Sequence, residues 1–175
     1  MNNINDAITI TFPDGKTKEY EKGITGYEIA ESIAKSLAKI AIAVSVDNVQ
    51  KDLSDSIISD SSISIITLDH DEGLEIMRHT LTAQVLAKAI KNLYPLAKLA
   101  IGPTIDNGFY YDISFEKQIS SEDLPKIEKE MNKIIKNGSA INKTIHSKEN
   151  AIKLFKDRNE TYKVDIINKS EQDDN

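Results

Sequence analysis

Cysteine is absent from this 175-residue chain, which excludes disulfide staples, thiolate catalysis and cysteine-ligated zinc together. Histidine is scarce: with only His70, His79 and His146, a metal site would have to draw on carboxylates or on a partner chain. No apolar run approaches the roughly 20 residues of a membrane helix, and the start Met1-Asn2-Asn3-Ile4-Asn5 lacks the basic and apolar stretches of a secretory leader. A soluble, cytoplasmic protein with no membrane partner is the expectation. Positive charge is also short: 22 Lys and Arg stand against 28 Asp and Glu, so the net charge of −6 repels polyanions and RNA binding requires a local patch. There is no Gly-x4-Gly-Lys-Ser/Thr phosphate loop, Gly-x-Gly-x-x-Gly fingerprint, Gly-x-Ser-x-Gly elbow or His-Glu-x-x-His pair. Internal repeats and a long Pro/Gly/Ser linker are missing as well.

What is present suffices for a core. Apolar residues make up 39% and charged residues 29%, the balance of a folded domain, and the length suits one medium domain or two small ones. Residues 8–20 alternate apolar and polar around Pro13-Asp14-Gly15, which predicts a β-hairpin. Ile29, Ile33 and Leu37 lie four apart and predict a helix over residues 25–37, started by Thr25 or Gly26. Residues 40–46 and 61–68 read as strands, with Asp47-Asn48 as a turn. Hairpin, helix and strands make a compact unit of about 65 residues that resembles a ubiquitin-like β-grasp.

From Glu75 the period changes to that of a long helix ending at Tyr94-Pro95. Asn107-Gly108 then feeds the aromatic strand Phe109-Tyr110-Tyr111, a second hairpin. Residues 121–136 form an amphipathic helix with Ser120 or Ser121 as cap, Gly138 as terminator, and Leu124, Ile127, Met131, Ile134 and Ile135 turned to a core. Residues 141–145 read as a strand, 148–156 as a short helix and 162–167 as a strand, followed by a fraying polar tail at 169–175. The fold class is therefore α+β, with the two domains meeting near residues 69–73 and the second spanning 71–168. An edge strand at 162–167 without a neighbour would be a self-association hazard.

Taken from the residues alone, the chemistry-bearing candidates are modest. His79 sits close to the apolar stripe of the long helix, where a single histidine is more often a packing residue. Tyr110-Tyr111-Asp112 can line a pocket, although alternating aromatics on a hairpin usually divide between core and rim. Lys126, Lys129, Lys133 and Lys136 interleave with Glu128 and Glu130 as a solvated helix face does.

Together, Ile10-Thr11-Phe12-Pro13-Asp14-Gly15, Ile65-Ile66-Thr67 and the string from Glu72 to His79 resemble the TGS domain and its junction in bacterial threonyl-tRNA synthetases. The string Ile101-Gly102-Pro103 through Asp106-Asn107-Gly108-Phe109-Tyr110-Tyr111-Asp112, then Ser121-Glu122-Asp123-Leu124 and Asn159-Glu160-Thr161-Tyr162-Lys163-Val164, continue the resemblance into that family's editing domain. The resemblance implies a TGS domain followed by an incomplete editing-type domain. The family ligates threonine to its tRNA with ATP, on a nucleotide-binding catalytic domain that this chain does not contain, and its editing domain removes mischarged serine. The ATP and zinc of the family belong to that missing domain, so no cofactor is expected here. The implied partner is the acceptor arm of threonine tRNA.

By resemblance, the editing pocket combines a His-x3-His pair on the long helix, a later Cys-x3-His pair, a tyrosine and a lysine. Carried over by position, these are His79, Tyr111 and Lys163, with Gln84 in place of the second histidine. One extra residue separates His79 from Gln84. Residues four apart on a helix share a face whereas residues five apart do not, so only a π-bulge would restore the alignment, and an amide still would not titrate. The Cys-x3-His pair is missing, because the chain stops at Asn175 and holds no cysteine. The expected product is a relic or appended tRNA-contacting region without catalysis of its own. The alternatives are a free-standing TGS-type binding module for tRNA or protein, and a trans-editing esterase that works with a partner.

Overall fold

The chain divides into two compact units, Met1–Met77 and Arg78–Asn175. A computed structural model describes residues 7–170; of the expected tail, Lys169 closes the last helix and residues 171–175 lie outside the described range.

In the first unit the predicted hairpin forms from β1 (Ala7–Thr11) and β2 (Thr17–Glu21), and alternation buries Ile8 and Ile10. Helix α1 (Gly26–Ile33) begins with a capping box: the Thr25 hydroxyl accepts from the Glu28 N–H at 3.3 Å and the Glu28 carboxylate accepts from the Thr25 N–H at 2.9 Å. The helix does not run on to Leu37. Ala34 is extended (φ −161°, ψ 136°) and α2 (Lys35–Ile40) restarts beyond it. Ile29 is buried in mid-helix, whereas Ile33, the last residue of α1 ahead of the break, is 50% exposed.

Strand β3 (Ala41–Val46) turns through Asp47 and Asn48, both left-handed (φ 51° and 65°), into β4 (Val49–Lys51). β5 (Ser61–Thr67) completes a sheet ordered β2-β1-β5-β3-β4, parallel only between β1 and β5. This is the expected β-grasp. Its core is Ile8, Ile10, Ile29, Val44, Val46, Ile57 and Ile63; each such side chain contributes about 1.5–3 kcal/mol when fully buried.

Helix α3 (Asp71–Thr80) opens against this sheet. Gly73 lies directly on the Thr67 carbonyl, leaving no room for a side chain, and His70 Nδ1 accepts from the Thr67 N–H at 3.1 Å. Its first turns are thus bound to β5, and the two compact units divide within the helix, between Met77 and Arg78.

In the second unit the long helix changes character. Residues Leu81–Leu86 form a π-helical turn, with the Ala87 N–H reaching back to the Thr82 carbonyl, before α4 (Ala87–Leu93) resumes. An antiparallel ribbon follows. β6 (Lys98–Leu99) pairs with β9 (Ile113–Ser114), and β7 (Thr104–Ile105) with β8 (Gly108–Phe109). The hairpin turn centres on Asp106 and Asn107, one residue ahead of the expected Asn-Gly position, and Tyr110 and Tyr111 lie beyond β8. A 3-10 turn (Ser121–Asp123) capped by Ser120 leads into α5 (Leu124–Asn137), which buries Ile127. Leu124 and Ile135 are each 56% exposed, so the core-facing stripe of α5 is narrower than its sequence suggests. The core consists of Ala87, Ile90, Ala97, Leu99 and Ile127, flanked by Tyr94 and Phe115 packed edge to face at 5.3 Å.

Two expected strands are not strands. Residues 141–145 have no regular structure and hold Ile141 and Ile145 exposed (63% and 89%). The predicted short helix is α6 (Lys148–Asp157), but residues 162–167 lie within another helix, α7 (Thr161–Lys169). The β-branched run there reads equally as a short helical face: Val164 is buried and its N–H bonds to the Glu160 carbonyl at 3.2 Å, so packing rather than propensity decides. The sheet edge expected at this segment, and self-association through it, lose their basis. Among the described residues no helix is long and apolar enough to cross a membrane.

Candidate functional site

The π-helical turn is the local event from which the site follows. An inserted residue in an α-helix rotates everything before it by about 100° relative to everything after it. The i→i+5 bonding of Leu81–Leu86 accommodates one residue more than a regular turn without breaking the helix, as the expected insertion requires. Thr82 holds this turn from inside. It is fully buried, and its hydroxyl donates to the Arg78 carbonyl at 2.8 Å, a back-bond that ties the distorted turn to the last turn of α3. A side chain at Gly102 would meet the Thr82 methyl at 2.8 Å and the Tyr111 ring at 3.0 Å, so the Ile-Gly-Pro segment approaches this closely only because position 102 is glycine.

Beyond the turn, Gln84 lines a cavity of about 440 Å³ together with Lys88, Lys91, Arg158, Glu160 and Lys163, over a floor that includes Leu99 and Phe155. Two of the residues selected by sequence, Gln84 and Lys163, therefore line one cavity. Tyr111 does not line the cavity but stands near it: burial, and secondarily the Glu160 charge, push its phenol above the ordinary tyrosine range. His79 is exposed and is not among the lining residues. Among the described residues no group of three or more His, Cys, Asp or Glu side chains is placed to hold a metal ion.

The sequence reading missed Glu160 and Lys91. The Glu160 carboxylate is buried with one oxygen 2.7 Å from Lys91 Nζ, and Lys91 also donates to the Ala97 carbonyl at 3.0 Å. The only hint of this in the sequence was the glutamate immediately before the Thr-Tyr-Lys run; nothing local distinguishes it from a surface acid. Pairing of Lys91 leaves Lys88, Arg158 and Lys163 as the cavity's net positive charge. This matches the larger division of charge. Residues 1–77 carry 6 Lys against 14 Asp and Glu, net −8, whereas residues 78–175 carry 16 Lys and Arg against 14 Asp and Glu, net +2.

Comparison with known proteins fixes the relationship. Residues 8–67 match the TGS domain. The threonine–tRNA ligase of Francisella philomiragia is 50% identical over 160 residues, covering 91% of this chain and 25% of the ligase. The chain resembles the N-terminal region of threonine–tRNA ligase. The enzyme of Acetivibrio thermocellus is 49% identical over 160 residues, again 91% of this chain and 25% of its own length. That of Rhizobium johnstonii is 44% identical over 164 residues, 94% of this chain and 24% of the ligase. The chain spans about a quarter of the length of the threonine–tRNA ligases it matches. The likeness to these ligases extends well past the TGS domain, into the unit that holds the cavity.

Proposed function

We propose that this chain is a tRNA-contacting region related to threonine–tRNA ligase, that its second unit receives the acceptor arm of threonine tRNA at the cationic cavity, and that it does not hydrolyse seryl-tRNA by itself. One observation carries the reading: the π-helical turn sets Gln84, rather than a titrating imidazole, beside Lys163 in a cavity rimmed by Lys88 and Arg158. Cations on that rim attract phosphates, and Phe155 and Leu99 offer an apolar floor. An amide can orient a ligand through hydrogen bonds but cannot accept and return a proton near neutral pH, which ester hydrolysis by general base catalysis demands. His79, the imidazole nearest in sequence, is exposed outside this cavity. We assign the chain no ATP or zinc of its own, and place it in the cytoplasm where charged tRNA is found.

The test is a gel shift of threonine tRNA at low and high salt. Binding that weakens with salt, and weakens again in Arg158→Ala, supports the reading; salt-independent binding, or binding unaffected by Arg158→Ala, contradicts it.

A further inference from the structure

Glu160 is the most unusual group in the second unit. Its side chain is only 7% exposed, and while Oε1 meets Lys91, Oε2 is buried without a hydrogen-bond partner. A buried carboxylate oxygen without a donor costs free energy that a well-packed apolar residue would avoid. The position of Glu160 shows what the charge achieves. It caps the start of α7: its carbonyl accepts from the Lys163 and Val164 N–H groups at 3.1 and 3.2 Å, and its own N–H donates to the Phe155 carbonyl at the end of α6 at 2.9 Å. Through Lys91 the same residue is tied to α4 and, by the Lys91–Ala97 bond, to the turn that leads into the ribbon. A second cross-tie runs alongside, from Lys98 Nζ to the Asn159 carbonyl at 2.6 Å.

We infer that Glu160 is a positioning residue: by clamping the first turn of α7 to α4 through Lys91, it sets where Lys163, one turn further on, presents its ammonium in the cavity. At its far end α7 is tied to α6, where Lys148 Nζ donates to the Ser170 carbonyl at 2.9 Å, so at its first turn the anchors are Glu160 and the apolar contacts of the helix. Val164 is its only residue buried in the core, and Tyr162 and Ile166 are each 42% exposed. The geometric part of the inference stands without RNA; its consequence for binding rests on the proposed acceptor-arm contact.

Two measurements keep these parts separate. In the full chain labelled with 13Cε-lysine and free of RNA, Glu160→Gln is expected to move the Lys91 and Lys163 signals, the latter towards the exposed lysines such as Lys153, while Lys153 stays fixed. A Lys91 signal that moves while Lys163 stays where it was overturns the inference. Where Glu160→Gln does not fold, Glu160→Asp, which keeps the charge but shortens the reach, is expected to move the same two signals by less; an unmoved Lys163 there has the same adverse meaning. With threonine tRNA, Glu160→Gln is expected to weaken binding about tenfold in the otherwise unaltered chain and less than twofold in the Lys163→Ala background, the non-additivity of residues acting through one another. Equal losses in both backgrounds would overturn action through Lys163. If the Lys163 signal follows Glu160 and no RNA binds, the clamp stands and the acceptor-arm contact falls.

Discussion

The two units solve the problem of burial differently. The first packs isoleucine and valine from four of its strands and loops against one helix, with the five-stranded sheet supplying a continuous hydrogen-bonded frame. The second fills its centre with two alanines, two larger aliphatics from helices and one leucine from a two-residue strand, and closes with aromatic edges and a lysine–glutamate clamp. Charge divides along the same line, acidic before residue 78 and weakly basic after it. A dense apolar core tolerates a repelling surface and needs no ligand. A thin core held by polar ties leaves cations beside a cavity, which is where an anionic partner gains most.

The largest effect that separates the units is expected from Ile10→Ala. Ile10 is fully buried, so its truncation should destabilise the first unit by about 2–5 kcal/mol. Hydrogen exchange should show the loss in β1 and β5 amides and not in α4 or α7; a loss spread evenly over the chain would erase the distinction drawn here. Next, Lys91→Met leaves the Glu160 carboxylate buried without its cation. Full burial of such a pair makes breakage worth about 3–5 kcal/mol, and because Lys91 is 33% exposed the expected loss is smaller, about 1–3 kcal/mol, confined to the second unit in denaturant unfolding.

A smaller effect concerns RNA. Removing one phosphate-contacting cation by Lys88→Ala should flatten the salt dependence of threonine-tRNA binding by about 0.7–0.9 in the log–log slope, whereas Lys39→Ala, in the acidic unit, should leave it as it was. A matching change from Lys39→Ala would place the contact in the wrong half. The smallest effect is at the start of α5. Hydrogen bonds from Lys126 and from the Ser120 backbone lower the Asp123 carboxyl from 3.8 to about 2. A depressed folded value means that its contribution is fully present above the unfolded value and is lost as pH falls through that interval. Asp123→Asn should therefore remove a small part of the acid sensitivity between pH 4 and 2 in a far-ultraviolet titration. Glu28, lowered by the equivalent Thr25 bonds in the first unit, should be unaffected by the change.

Legibility in the sequence follows the same division. Strict alternation at Ile8 and Ile10 and turn chemistry at Asp47-Asn48 are local signals, and both strands and turns of the β-grasp stand where those signals put them. Ala34 is different: no local residue announces the extended backbone that breaks the helix there. In the second unit the Tyr162 to Ile167 run carries β-branched residues whose helical state is decided by Glu160 and by α6, neither readable from the run itself. The five-residue spacing of His79 and Gln84 is readable as a count, but the π-turn that lies between them is visible only in the bonds of Leu81–Leu86. Lys163 and Gln84 were found through resemblance; Glu160 stood in the same 159–164 string with no role attached to it, and its pairing with Lys91 spans 69 positions of sequence.

The most direct trial mixes seryl-tRNA bearing the threonine anticodon with the chain at low salt, and follows the bound fraction and the surviving ester in the same samples. Saturable, Lys163-dependent retention of RNA with the ester decaying no faster than in buffer is the predicted result. Multiple turnover of the ester, abolished by His79→Ala, would contradict the account.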